Sequence, residues 1–285
     1  MRIKESLLVL TIFILHQSGF SQSQVLMVAQ PVTLKKGISF DLRVPADYHV
    51  SIAVEGLERP RFFCKSPDGR IFITDMHDRS DNKKGRILIL ENWNSKEKKF
   101  GKVTVFTDSL HNPNQIAFYN TGTNYYLYVA ETEKLSYYLY KPGDTRPSSV
   151  PTAIATFPDY GLSYKYGGWH LTRSISFHNN KLYVTVGSSC NACIEKEEIR
   201  ATVIEMDPDG RNQRYYARGL RNGVGLKWIN NQLWVTNMGR DGIGPDKPED
   251  LFHTIQFNGY YGWPYYVQYN KKILADVNFK DSTKP

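Results

Sequence analysis

Ile175-Ser176-Phe177-His178-Asn179-Asn180-Lys181-Leu182-Tyr183-Val184-Thr185-Val186 is the stretch on which the reading of this chain turns. Apolar, β-branched and aromatic residues favour strands on both sides of Asn179-Asn180, and paired asparagines tolerate the left-handed conformations of a two-residue hairpin turn. The segment therefore predicts two antiparallel strands. Three related copies occur. Phe62 to Arg70 leads into Ile71-Phe72-Ile73-Thr74-Asp75, Ile116-Ala117-Phe118 leads into Leu127-Tyr128-Val129-Ala130-Glu131, and Leu226 to Gln232 leads into Leu233-Trp234-Val235-Thr236-Asn237. Each second strand carries an aromatic at its second position. The steps from Ile71 to Leu127, Leu182 and Leu233 are about 56, 55 and 51 residues. A period near 50 with several strands per unit predicts the blades of a β-propeller, and helical periodicity is scarcely visible.

The fold class expected is thus all-β. A six-bladed ring at this period needs roughly 300 residues or more, so about four to five blades are expected here, as an incomplete ring. A chain that stops there leaves a blade edge with unpaired backbone groups, which argues for the front portion of a larger protein over a smaller ring or one closed by a partner.

Residues 1–21 have the layout of a secretory signal peptide. A basic start at Arg2 and Lys4 precedes an apolar run from Leu7 to Leu15, followed by small residues at Gly19 and Ser21. That run is too short to span a bilayer as a helix. Residues 22–50 then form an N-terminal segment with the first strand or strands, and 51–285 the propeller. The expected location is the periplasm or the extracellular space, without stable membrane insertion.

The formal charge of +8 is spread over short clusters such as Lys83-Lys84 and Lys271-Lys272, with acids between them. That describes a solvated surface and argues against a nucleic-acid partner. Three cysteines are present, Cys64, Cys190 and Cys193. In an oxidising compartment Cys190 and Cys193 suit a short disulfide; a zinc pair or a redox pair are the alternatives, and Cys64 reads as a small buried hydrophobe.

No phosphate-binding loop, dinucleotide fingerprint, zinc-protease helix or serine nucleophile elbow occurs. Polar residues gather instead where successive blades begin. His170 follows a glycine pair at Gly167-Gly168 and suits a general base, with Arg173 beside it. Arg221-Asn222 places a guanidinium and an amide at the start of the next blade. The loop from Met238 to Asp250, including Gly239-Arg240, is rich in oxygen donors and suits Ca²⁺.

In order, H-x-x-R-S-I-x-F from His170, L-Y-V-T-V-G-S-S-C-N-x-C from Leu182, D-P-D-G from Asp207, G-L-R-N-x-V-G-L from Gly219, L-W-V-T-x-x-x-R-D-G from Leu233 and Y-G-W-P from Tyr261 resemble the glucose/sorbosone dehydrogenase family. The sorbosone or pyranose dehydrogenase-like branch is the most similar, over about Pro60 to Tyr265. The resemblance implies a six-bladed quinoprotein that oxidises a sugar, with pyrroloquinoline quinone and Ca²⁺ as cofactors and an external electron acceptor such as a cytochrome or quinone as partner. His170 matches the base. Arg221 and Asn222 match residues that hold the quinone oxygens, Arg173 is a further candidate for the cofactor, and the backbone carbonyls of Gly239 and Arg240 match a Ca²⁺ site. Two other classes remain on the residues alone: a Ca²⁺-dependent lactonase drawing on the acids from Asp241 to Asp250, and a propeller that binds sugars or proteins without turnover.

Overall fold

The structure is a computed structural model, and it describes residues 25–159 and 169–279. The expected signal peptide and the Gly167-Gly168 pair lie outside the described residues. The chain divides into two units at Ile52/Ala53. In the first, β1 (Met27–Thr33) and β2 (Ser39–Pro45) form one antiparallel hairpin. Gln30 ties it to the chain that follows, accepting a bond from Val50 N at 2.9 Å.

The second unit holds four blades. The first comprises β3 (Pro60–Lys65), β4 (Ile71–Asp75), β5 (Gly85–Asn94) and β6 (Lys99–Leu110). The second comprises β7 (Ile116–Asn120), β8 (Tyr125–Ala130), β9 (Lys134–Tyr140) and β10 (Thr152–Thr156). The third comprises β11 (Ile175–His178), β12 (Lys181–Val186), β13 (Thr202–Met206) and β14 (Arg214–Arg218). The fourth has β15 (Gly223–Ile229), β16 (Gln232–Asn237) and β17 (Leu251–Ile255). Each is an antiparallel meander, and β18 (Gly259–Tyr260) returns to pair in parallel with β14. The protein is an all-β propeller, and its four blades coincide with the four sequence repeats.

Pleat alternation explains the radial stacking, since successive side chains of a strand point to opposite faces of its sheet. On β8, Leu127 and Val129 pack with Phe72, Ile87 and Phe106 of the first blade. Tyr128 and Ala130 of the same strand pack with Leu182, Val184 and Met206 of the third. One blade down the chain, Tyr183 turns to Leu226, Leu233 and Val235 of the fourth. Phe72, Tyr128 and Tyr183, the aromatics at the second position of the first three repeats, each reach across a blade interface, while Trp234 of the fourth stacks on Phe252 of its own blade.

The turns follow their chemistry. Asn179 and Asn180 have φ of 46° and 56°, Asn230 and Asn231 have 48° and 59°, and each pair closes a two-residue hairpin. One hairpin departs from expectation. Residues 270 to 285 hold no further copy of the repeat, yet β19 (Tyr266–Tyr269) and β20 (Lys272–Ala275) pair across Asn270-Lys271, both left-handed at 48° and 60°. A lysine in that turn and the exposed face of β20 hide the pattern. Among the described residues no helix is long and apolar enough to cross a membrane.

Candidate active site

All four blades start their first strand and end their second at the same end of the ring, and the repeat's last residue works there as a clamp. Asp75 accepts Arg59 N at 2.6 Å and Glu58 N at 3.2 Å. Glu131 accepts His111 N at 2.7 Å, and Asn237 accepts Asn222 N at 3.0 Å. In each case a buried oxygen fixes the loop leading into its own blade. The third blade has Val186 at that position, which no side chain of valine can imitate. The loop leading into that blade is the one that carries His170.

His170 is held by other means. Its φ is 52°, an uncommon conformation for a residue with a Cβ, so its surroundings must hold it there. Nδ1 lies 3.0 Å from the carbonyl oxygen of Ser188. A carbonyl only accepts, so Nδ1 carries the proton and Nε2 is left with its lone pair. The Ser188 hydroxyl, itself donating to Cys190 O at 2.7 Å, accepts from the same Nδ1 at 3.0 Å. Burial, and then the positive charge of Arg221, lower the imidazole to about 3, so the ring is neutral at ordinary pH.

Gly187 is what lets these groups meet. A Cβ there would stand 2.5 Å from His170 Cβ and 2.7 Å from Asn222 Oδ1. His170 and Asn222 thus close on the Gly187 backbone from either side. Arg221 completes the group: its carbonyl accepts Ser188 N at 2.7 Å, and its guanidinium lies 6.0 Å from the ring of Trp169. That guanidinium is 2% exposed. Nε donates to Asn191 O at 2.9 Å, and Nη2 donates to Asn191 Oδ1 at 2.9 Å and to Asp241 Oδ2 at 3.0 Å. Among the described residues Arg221 Nη1 and Asn222 Oδ1 are buried without a hydrogen-bond partner. Burial lowers the guanidinium, with Asp241 acting against that shift.

Residues 39–245 of this chain match the family described as a domain of unknown function, DUF7133. The chain belongs to that family. A curated relative, an uncharacterized protein of Borreliella burgdorferi (strain ATCC 35210), is 24% identical over 270 residues, covering 89% of this chain. The chain spans 64% of that relative's length. Two solved structures of Trichoderma reesei Carbohydrate-Active Enzymes Family AA12, an iodide structure and a calcium structure, superpose with a TM-score of 0.65 at 14% and 15% identity. They are covered over 65% of their length by 82% and 81% of this chain, and the likeness is one of fold.

Of the residues singled out in this DUF7133 chain, His170, Arg221 and Asn222 come together around Gly187 and Ser188, and Arg173 reaches the group through the backbone of His170. It is fully buried and donates through Nη1 to His170 O at 2.7 Å and Thr172 O at 3.1 Å, and through Nη2 to Pro158 O at 3.3 Å. Those bonds brace the left-handed histidine from behind. Gly239 N donates to Asp250 Oδ1 at 2.9 Å, and the Arg240 guanidinium is held by both oxygens of Asp276 at 2.8 and 2.9 Å. Cys190 and Cys193 form a disulfide. Cys64 is half-buried beside the core of the first two blades, and burial pushes its thiol up to about 12.

Three contributors were given no role by sequence reasoning, Gly187, Ser188 and Asn191, and Asp241, read there as an acid of the lactonase alternative, holds Arg221 instead. A signal existed for one of them, because the repeat ends in Asp, Glu and Asn but in Val186 before Gly187, and that break marks the blade built differently. Next to Arg221 lies a cavity of about 440 Å³, lined by Tyr260, Tyr261, Trp263, Tyr266, His253 and Arg240 among others.

Proposed function

We propose that this chain carries the base and part of the cofactor site of a quinone-dependent sugar oxidoreductase that works in the periplasm or outside the cell. The observation that carries the reading is the pairing of a neutral imidazole, its Nε2 lone pair left over, with two orphaned buried atoms of opposite kind, Arg221 Nη1 and Asn222 Oδ1. A buried donor on a cation and a buried acceptor on the next residue are each costly when unmatched, and a ligand that reached both would satisfy them. A planar, oxygen-rich, anionic group such as pyrroloquinoline quinone fits that donor set, and when bound it supplies the two-electron acceptor.

The protein's own residues divide the remaining work. His170 Nε2 takes the hydroxyl proton of the substrate while Ser188 and Arg173 keep the ring in place. The fixed charge of Arg221 stabilises negative charge that builds up beside it in a water-poor setting. The backbone carbonyls of Gly239 and Arg240 are the proposed Ca²⁺ ligands. A sugar is the proposed substrate; the fold of a carbohydrate-active enzyme family and the aromatic wall of the cavity support it. An external one- or two-electron acceptor completes the cycle. The acidic loop favours hydrolysis less, because Asp241 and Asp250 are engaged with Arg221 and Gly239 N.

The test is dye reduction across a panel of aldoses by the chain reconstituted with the quinone and Ca²⁺, with His170→Ala lowering the rate about 10² to 10⁴-fold. Quinone uptake, followed by absorbance, should fall in Arg221→Met. An unchanged rate in His170→Ala removes the base from the mechanism, and lactone hydrolysis without quinone selects the hydrolase instead.

A further inference from the structure

One short segment holds both halves of this site. Ser188 fixes His170, and three residues later Asn191 fixes Arg221. Asn191 meets the guanidinium along a single edge, with its main-chain oxygen on Nε and its side-chain oxygen on Nη2, both at 2.9 Å. That choice of edge decides which corner of Arg221 stays unengaged, and the corner is Nη1.

Asn191 is itself held on every side. Its Oδ1 accepts Asp241 N at 2.8 Å, its Nδ2 donates to Asp241 O at 3.0 Å, and its carbonyl also accepts Trp263 Nε1 at 3.2 Å. The pair of bonds to the main chain of Asp241 copies the two-way exchange of an antiparallel ladder, so the amide side chain is oriented as firmly as a backbone group. The residue lies between Cys190 and Cys193, whose disulfide closes a four-residue loop, and Ser188 Oγ braces Cys190 O from below at 2.7 Å. An aspartate keeps acceptor oxygens here but loses the donor to Asp241 O. An alanine loses both oxygen contacts of the side chain.

We propose that Asn191, locked in the Cys190–Cys193 loop, is the positioning residue that aims Arg221, leaving Nη1 as the corner offered to a ligand. The ligand's identity rests on the quinone reading above, while the aiming of Arg221 does not. Opening the disulfide loosens the loop and with it the guanidinium, so the site's affinity follows the redox state of these two cysteines.

Two readouts on the full chain separate the claims. The first is hydrogen exchange of the Arg221 guanidinium by NMR, assigned through its disappearance in Arg221→Lys, in the wild type, in Asn191→Ala and in Asn191→Asp. It is repeated on wild-type protein reduced with a phosphine, which keeps the test decisive where Asn191→Ala does not fold. Exchange should quicken at least about tenfold in Asn191→Ala and on reduction, and stay near wild type in Asn191→Asp. The second readout is quinone binding by absorbance, expected to weaken about 10- to 100-fold in Asn191→Ala and to be rescued by Asn191→Asp. A guanidinium equally protected in the alanine variant and in the reduced protein overturns the proposal, whatever the quinone does. So does a freed guanidinium with unaltered quinone affinity. A freed guanidinium in a protein whose wild type takes up no quinone upholds the positioning role and overturns the cofactor reading.

Discussion

At Gly187 the chain has no room for a side chain, because His170 and Asn222 close on its backbone. Its backbone takes an ordinary conformation, but the added methyl of alanine would press on His170 Cβ and Asn222 Oδ1 at 2.5 and 2.7 Å. Gly187→Ala should therefore cost about 1 to 3 kcal/mol in urea unfolding and lower the rate of the proposed sugar oxidation by about a hundredfold or more, because the imidazole must move. Wild-type stability with wild-type turnover would contradict the contact. Protonation at His170 has its own signature. Its folded value of about 3 lies below the ordinary 6.5, so the unfolded chain binds more protons between those limits. The stability gained from the neutral ring is present above about pH 6.5 and is lost as pH falls toward 3. Over that window the wild type should lose stability relative to His170→Ala, measured by urea midpoints at successive pH values; parallel curves would place the histidine in solvent.

Strand ends explain why one blade differs from the others. Asp75 in the first blade is fully buried and serves Glu58 N, Arg59 N and the Arg86 guanidinium at 2.8 Å. Burial alone would raise its carboxyl, yet those donors hold it below the usual range. Asp75→Ala strands two backbone donors and leaves the Arg86 guanidinium with Glu58 alone, at 3.5 Å, and should destabilise the fold by about 2 to 4 kcal/mol. Restoring the pattern in the third blade should not help. Val186 is 1% exposed within the core between the second and third blades, so Val186→Asn buries an amide there and should cost about 1 to 3 kcal/mol. A neutral or stabilising Val186→Asn would show that the missing clamp is a vacancy and not a built difference. The blade-to-blade logic of this end of the ring was legible in the repeat itself, from the succession Asp75, Glu131, Val186 and Asn237. What each of those residues grips was not, since the gripped N–H groups lie 15 to 20 residues away in sequence.

Across the molecule, blades are stapled to one another by polar groups at the ring's ends as well as by their cores. Asn114 accepts Arg61 Nε at 3.0 Å in the first blade and donates to Arg173 O at 2.9 Å beside the third. His111, 6% exposed, lies between Asp81 of the first blade, which pairs with Nε2, and Glu133 of the second, 2.6 Å from Nδ1. Burial works against charge on this ring, but Asp81, Glu133 and Asp159 outweigh it and raise its pKa above 6.5. The stability it contributes is full below about pH 6.5 and is lost as pH rises through the raised value. The gap in thermal midpoint between wild type and His111→Gln should therefore narrow from pH 6 to pH 9, the reverse of the trend at His170. A gap that stays constant from pH 7 to pH 9 would mean the ring is neutral between its carboxylates.

Local chemistry was enough for the repeat, the hairpins at Asn179-Asn180 and Asn230-Asn231 and the propeller class, because turn propensity and strand alternation act over neighbouring residues; His170, Arg221 and Asn222 were singled out by their place at blade starts and by the family resemblance. Local chemistry failed at Asn270-Lys271, where a lysine in the turn and two strands of only four residues gave too short a pattern to read. Only the tertiary structure separated Arg221 from Arg173. Both are arginines beside a blade start and both keep one buried donor unmatched, Arg173 its Nε and Arg221 its Nη1. Yet Arg173 gives its terminal nitrogens to the carbonyls of His170, Thr172 and Pro158, while Arg221 is gripped by Asn191 and Asp241. Only it, too, brought Asn191 and Asp241 to Arg221, since a buried guanidinium takes whatever acceptors packing presents, and those come from loops 30 and 20 residues distant.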